Sequence, residues 1–193
     1  MQELLDTVVS LSTQKRKALA ALLKKQGVNL YGVTPILPRT PEEPALLSYA
    51  QQRLWILSQL GEVSSAYNLS SVLRFKGHLD IQALQRSFET LIERHETLRT
   101  TFQLEGERAV QVIHPHIPFE LAIEVLEQAD DNHLRQRVEA EAHLPFDLQQ
   151  GPLLRVHLLR LAADEHVLVL TLHHIVSDGW SMPVMVNELV QLY

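Results

Sequence analysis

The stretch "LLRVHLLRLAADEHVLVLTLHHIVSDGWS", residues 153–181, decides the fold. Two apolar runs, "LLRVHLLRL" (153–161) and "EHVLVLTLHHI" (165–175), lie so close in sequence that they predict two antiparallel strands joined as a hairpin. In the second run His174 shares its side with Leu172, Leu170 and Leu168, and His173 with Thr171, Val169 and Val167, because successive side chains of a strand point to opposite faces. Both faces are apolar, so periodicity does not choose between the histidines. It does establish that the two cannot line one pocket or bind one metal in regular strand geometry, so one of them is structural.

Asp178 follows His174 by four residues, in a turn that Gly179 is expected to close with backbone angles forbidden to other residues. A carboxylate there orients the loop, orients a histidine or pairs with an arginine. The chemistry on offer is general base work by a neutral imidazole with an ordinary pKa of about 6.5. The competing reading is a buried, satisfied core histidine beside a turn-forming Asp-Gly. Beyond the turn, "SMPVMVNELVQLY" (181–193) predicts a helix with Ser181 as its cap and Pro183 in its first turn. It stops without a glycine, a basic last turn or a downstream proline, and reads as a cut rather than an end.

Upstream, "LSYAQQRLWILSQL" (47–60) predicts a helix capped by Ser48, with Leu54, Trp55, Ile56 and Leu57 around its apolar side. "LSSVLRFKG" (69–77) reads as a strand. "LDIQALQRSFETLIERHETLRTTF" (79–102) reads as an Asp80-capped helix followed by a strand, with Ile81, Leu84, Phe88, Leu91 and Ile92 on one stripe. A strand at "AVQVIH" (109–114) and a charged helix around 127–143 complete the series. The order predicts an α/β fold, an α+β two-layer sandwich in which helices pack on a mixed sheet. Residues 47–193 form this body. Residues 1–27 are an amphipathic helical segment in which "STQKRKALAALLKKQG" (12–27) has Ser12 or Thr13 as cap and Gly27 as stop. Its basic face is either a solvated face or a docking surface for an acidic partner. Residues 28–46, with Pro35, Pro38, Pro41 and Pro44 at the polyproline period, read as a semi-rigid linker, with recognition by a proline-binding groove as the alternative.

The chain has 193 residues, of which 46% are hydrophobic, enough for one core-bearing domain plus an appendage. The absence of cysteine excludes disulfides, thiolate metal sites and cysteine nucleophiles, and makes a cytoplasmic location the expectation. The start "MQELLDTVVS" has acids where a signal peptide wants a basic n-region, so no signal peptide is expected, and no apolar run approaches the roughly 20 residues of a membrane helix. Residues 1–29 carry a charge of +3 and the remainder −9, which disfavours nucleic acid as a partner. "HETLR" (95–99) begins like a zinc-protease helix but has Arg99 in place of the second histidine. His114 and His116 flank Pro115 with no third ligand nearby, so no metal site is expected. All seven glycines are isolated, which leaves no phosphate-binding or dinucleotide-binding loop, and no serine-nucleophile elbow occurs.

Four motifs in order, "SYAQQRLWIL" (48–57), "RHETLRTTF" (94–102), "FDLQQGPLLR" (146–155) and "LHHIVSDGWS" (172–181), resemble the condensation domains of nonribosomal peptide synthetases, from about Leu46 to Tyr193. His-His-x-x-x-Asp-Gly is that family's active-site pattern. The positions around Ser48, Gln51, Arg53 and Trp55, with Ser177 and Trp180, look like the subtype that joins an L-configured donor to an L-configured acceptor. The resemblance implies a chloramphenicol-acetyltransferase-like N-terminal lobe and an acyl transfer in which an acceptor amine attacks a donor thioester. It implies His174 as the working residue, deprotonating the amine or positioning it. Asp178 organises the loop, commonly through an arginine, and the Gly179 backbone lies near the reacting carbonyl. His173 and Arg99 are supporting, structural residues. No cofactor is expected on this chain; 4′-phosphopantetheine is expected on partner carrier proteins. The partners implied are donor and acceptor carrier proteins, a C-terminal lobe of the same domain and neighbouring synthetase modules, with no membrane. The chain would be the first half of such a domain, inactive in isolation. The competing readings are a standalone coenzyme A-dependent acyltransferase of the same superfamily and a noncatalytic carrier-protein docking fragment.

Overall fold

Strand β7 (Glu165–His173) is the spine of the fold, with every residue from His166 to His173 buried. In the computed structural model, which describes residues 11–26, 44–60, 65–126 and 130–193, it forms the expected antiparallel hairpin with β6 (Leu154–Ala162). On its other edge it pairs antiparallel with β2 (Asn68–Lys76), placing His173 opposite Asn68. The fourth strand, β5 (Ala122–Val125), runs parallel to β6, so the sheet has the order β2-β7-β6-β5 and is mixed. The periodicity gave no indication of β5, because four residues interrupted by Glu124 are too short a run to show an alternation.

The two apolar faces of β7 are explained by helices on both sides of the sheet. Leu168, Leu170 and Leu172 pack with Leu84, Phe88, Leu91 and Ile92 of α3 (Ile81–Arg94) and with Met185 and Leu189 of α5 (Ser181–Leu192). Val167 and Val169 face Leu134 and Val138 of α4 (Asp131–His143), which adds a helical layer over β6 and β7. Burying each such Leu or Val side chain contributes roughly 1.5–3 kcal/mol, so this strand anchors the domain. Asp80 caps α3 by accepting from Ala83 N–H at 2.9 Å, and Asp130 caps α4 by accepting from His133 N–H at 2.7 Å.

A second, three-stranded antiparallel sheet, absent from the single-sheet expectation, contains β3 (Thr100–Glu105), β4 (Arg108–Ile113) and the two-residue β1 (Ala45–Leu46), in the order β1-β4-β3. Ala45 and Leu46, read from sequence as the end of the linker, therefore pair with Gln111 and Val110. Helix α2 (Tyr49–Gln59) follows at once, with Trp55 buried; Ile56, expected on its apolar side, is exposed instead. Trp55, Leu47, Phe102, Phe146, Leu153 and Ile175 form a separate core cluster that reaches the turn after β7.

By its contacts the chain divides into two units, residues 1–43 and 44–193. In the first, α1 (Thr13–Lys25) has Ser12, not Thr13, as its N-cap, and Lys24 and Lys25 in its last turn, where the carbonyl end of the helix dipole favours cations. Gly27 and the proline-rich stretch up to residue 43 lie outside the described residues. No described helix is long and apolar enough to cross a membrane.

Candidate active site

The backbone leaves β7 at His173 and turns sharply, with Val176 N–H donating to the His173 carbonyl at 3.1 Å. His173 is the last strand residue and His174 the first of the turn, so strand alternation separates them as expected while the turn carries His174 out to solvent. His173 is 2% exposed. Its Nδ1 accepts the Ile175 N–H at 3.1 Å, and its ring stands edge-on to Phe146 with centroids 6.2 Å apart. Burial, helped by the neighbouring His174, lowers its pKa to about 4, so it is neutral at pH 7 and structural in its contacts.

His174 is exposed and held at two points. Its backbone N–H donates to the Tyr67 carbonyl at 2.8 Å, and its Nδ1 lies 2.7 Å from the Ser177 carbonyl oxygen. A carbonyl only accepts, so this contact assigns the proton to Nδ1 and leaves Nε2 as the acceptor nitrogen, which has no hydrogen-bond partner among the described residues. The arrangement supplies an oriented base, or an acceptor for an ammonium or amine N–H. Sequence reading did not find Ser177 as the orienting group, because the atom used is a backbone oxygen that any residue would provide.

Asp178 is held in the loop by the residues that follow it. Its Oδ1 accepts from Trp180 N–H at 3.1 Å, Ser181 N–H at 2.9 Å and Ser181 Oγ–H at 2.7 Å. The Ser181 hydroxyl and backbone N–H hold its carboxyl below the usual range. Among the described residues it pairs with no arginine and makes no hydrogen bond to His174. Two expectations are corrected here. Ser181 is the first residue of α5 and a donor to Asp178, not the side-chain cap of the helix. Gly179 does not adopt left-handed angles, since three donors converging on Asp178 already close the turn, and among the described residues a Cβ at Gly179 would meet nothing within 4 Å.

The remaining motifs meet behind this turn. Gln51 Nε2 donates to the Ile175 carbonyl at 3.2 Å, which connects the α2 motif to the histidine motif across 124 residues. Arg155 stacks 3.8 Å above Phe146 and donates to the carbonyls of Glu141, Leu144 and Pro145 at the end of α4. Arg99 donates to the His114 carbonyl and lies 3.7 Å from Glu96. His114 Nε2 is engaged by the Thr101 hydroxyl at 2.9 Å. Arg94 and His95 reach Glu188 of α5 at 3.0 and 2.9 Å, tying α3 to the helix that follows the turn. A cavity of about 400 Å³ beside the turn is lined by His95, Leu98, Ser177, Asp178, Trp180 and Met185, among others; His174 is not among its lining residues.

The condensation domain family model matches residues 42–193. This chain belongs to the condensation domain family. It is 44% identical over 173 residues to chondramide synthase cmdD of Chondromyces crocatus, covering 88% of this chain and 4% of that protein. It is 43% identical over 162 residues to malpibaldin synthetase of Mortierella alpina, covering 82% of this chain and 3% of that protein. Among solved structures it matches the chain in "Complex of the X-domain and OxyB from Teicoplanin Biosynthesis" at a TM-score of 0.74 and 33% identity, over 81% of this chain and 34% of that one. The mixed sheet with its packed helices is the N-terminal lobe of the chloramphenicol-acetyltransferase-like fold that condensation domains share. The chain thus spans a few per cent of the curated relatives it matches and about a third of the solved chain.

Proposed function

We propose that this chain is the first lobe of a condensation domain that joins a carrier-bound aminoacyl or peptidyl thioester to a carrier-bound aminoacyl acceptor, with His174 as the working imidazole. The observation that carries the reading is the Nδ1–H bond from His174 to Ser177, which leaves Nε2 as the acceptor nitrogen at the exposed end of β7. The α-amine of the acceptor attacks the donor thioester carbonyl, a C–N bond forms and the C–S bond breaks. His174 Nε2 accepts the proton released by nitrogen and returns it to the departing sulfur of the donor's phosphopantetheine arm. A free α-amine has a pKa of about 7.7–8.0, so a weak base is sufficient, and holding the amine in line is an equal candidate for the larger effect. Asp178 fixes the loop and the start of α5, while the unobstructed backbone at Gly179 leaves room for the reacting carbonyl. His173 and Arg99 support the scaffold. On this reading the second lobe completes the tunnel and supplies the arginine for Asp178, so the isolated chain is inactive. The work is cytoplasmic, alongside neighbouring synthetase modules.

The test is an intact condensation domain carrying these residues, incubated with a loaded donor and a loaded acceptor carrier protein. A dipeptidyl thioester on the acceptor carrier, abolished in His174→Ala, supports the reading. Transfer from an aminoacyl coenzyme A alone would favour a standalone acyltransferase. The match to an X-domain solved in complex with OxyB favours a second reading, a docking module. That reading predicts protein binding that survives His174→Ala and no condensation in the parent domain.

A further inference from the structure

Gln51 is the point at which α2, the small sheet and the His174 turn meet. Its Oε1 accepts Ser48 N–H at 2.9 Å while its own N–H donates to Ser48 Oγ at 3.2 Å, so one half of its amide closes the capping box of α2. The other half, Nε2, donates to the Ile175 carbonyl at 3.2 Å and to Gln111 Oε1 at 3.3 Å. Gln111 Nε2 donates in turn to the Leu46 carbonyl at 3.0 Å. Exchanging Oε1 and Nε2 of Gln51 would set oxygen against two oxygens and a donor against a donor, so the network fixes the orientation of the amide.

Ile175 is buried and immediately follows His174. Its N–H is held by His173 Nδ1, and the next amide, Val176 N–H, by the His173 carbonyl. Gln51 on the Ile175 carbonyl and the His173 carbonyl on Val176 N–H hold both edges of the Ile175–Val176 peptide plane, from which the chain runs through Val176 to Ser177. The Ser177 carbonyl is the atom that orients the His174 ring. We propose that Gln51 is a positioning residue for His174, acting through the Ile175 peptide to set the direction of the Ser177 carbonyl and so the tautomer and aim of the imidazole. The link between tautomer and turnover rests on the proposed role of His174, whereas the effect of Gln51 on the ring does not.

The test separates capping from positioning. In Gln51→Glu the carboxylate still accepts Ser48 N–H but donates nothing to Ile175. In the ¹⁵N-labelled chain, long-range ¹H–¹⁵N spectra read both ring nitrogens of His174. The parent is expected to show a single Nδ1–H tautomer, and Gln51→Glu a shift towards the mixture of free imidazole. In a condensation domain carrying the same change, kcat falls on the order of tenfold or more while KM for the acceptor is unchanged. Ser48→Ala, which removes the other half of the capping box, lowers the melting temperature and leaves the His174 nitrogens where they were. If Gln51→Glu does not fold, Gln51→Met removes the donor together with the acceptor of Ser48 N–H in a similar volume, and its His174 nitrogens are read against those of Ser48→Ala. Unmoved His174 nitrogens in the folded Gln51 variant, or equal movement in Ser48→Ala, overturn the proposal. Moved nitrogens with unchanged kcat leave Gln51 as the positioning group and sink the catalytic reading of His174 instead.

Discussion

His173 makes the domain sensitive to acid in a way that one substitution isolates. The buried imidazole binds its proton only near pH 4, against an ordinary value of 6.5. Between those values the unfolded chain is protonated at this position and the folded chain is not, so the unfolded state binds more protons and stability falls as pH falls. At about 1.4 kcal/mol for each tenfold difference in affinity, acidification from pH 7 to pH 4 removes about 3 kcal/mol through this residue alone. Replacing His173 with Asn keeps an acceptor oxygen near the place of Nδ1 for the Ile175 N–H and removes the titration. The assay is urea unfolding of parent and His173→Asn at half-unit steps from pH 4 to 7.5. With a slope of about 1–3 kcal/mol per molar urea, the parent midpoint should lose roughly 1–3 M more than the variant midpoint over that range. The variant is less stable at pH 7 because the packing on Phe146 is reduced, but its pH profile is flatter. Parallel profiles for the two proteins would refute the reasoning, since they would mean that His173 binds its proton equally well folded and unfolded.

Arg155→Ala removes the guanidinium fork from three carbonyls and from the face of Phe146, and should destabilise the domain by about 2–3 kcal/mol in urea titrations. Arg155→Lys should restore little of it, because an ammonium cannot span the same fork. Gly151→Ala should cost on the order of 1–3 kcal/mol, measured the same way, since Gly151 has φ of +61° and a Cβ there would lie 2.9 Å from Thr101 Cγ2. Leu170→Ala, at a fully buried position of β7 between the sheet and α3, should cost about 2–5 kcal/mol and lower the thermal midpoint accordingly.

The parts legible in the sequence were those governed by local rules. Ser48 with Gln51 three residues later, Asp80 before the Ile81 stripe, and the two closely spaced apolar runs of β6 and β7 each state their structure within a few neighbouring positions. The separation of His173 from His174 was legible for the same reason. Which of them is buried was not, because β7 is covered by α3 and α5 on one side and α4 on the other, and an apolar pattern on both faces carries no direction. Gly179 was given a conformational role that Asp178 performs with its side chain, a substitution of one turn chemistry for another that the dipeptide alone does not distinguish. The contact from Gln51 to Ile175 was beyond reach from sequence: half of its amide reads locally as a capping box, and the other half spans 124 residues. The small sheet was hidden by the brevity of β1, whose two residues follow directly on a proline-rich stretch.

In the proposed function, condensation depends on His174 as aimed by the Ser177 carbonyl. The most direct measurement is the single-turnover rate of peptide-bond formation between loaded donor and acceptor carrier proteins in an intact domain carrying these residues, compared with His174→Ala. The His174→Ala rate is expected to be lower by about 10²–10⁴-fold with carrier-protein affinity unchanged. A variant that forms the peptide bond within a few-fold of the parent rate would contradict that dependence.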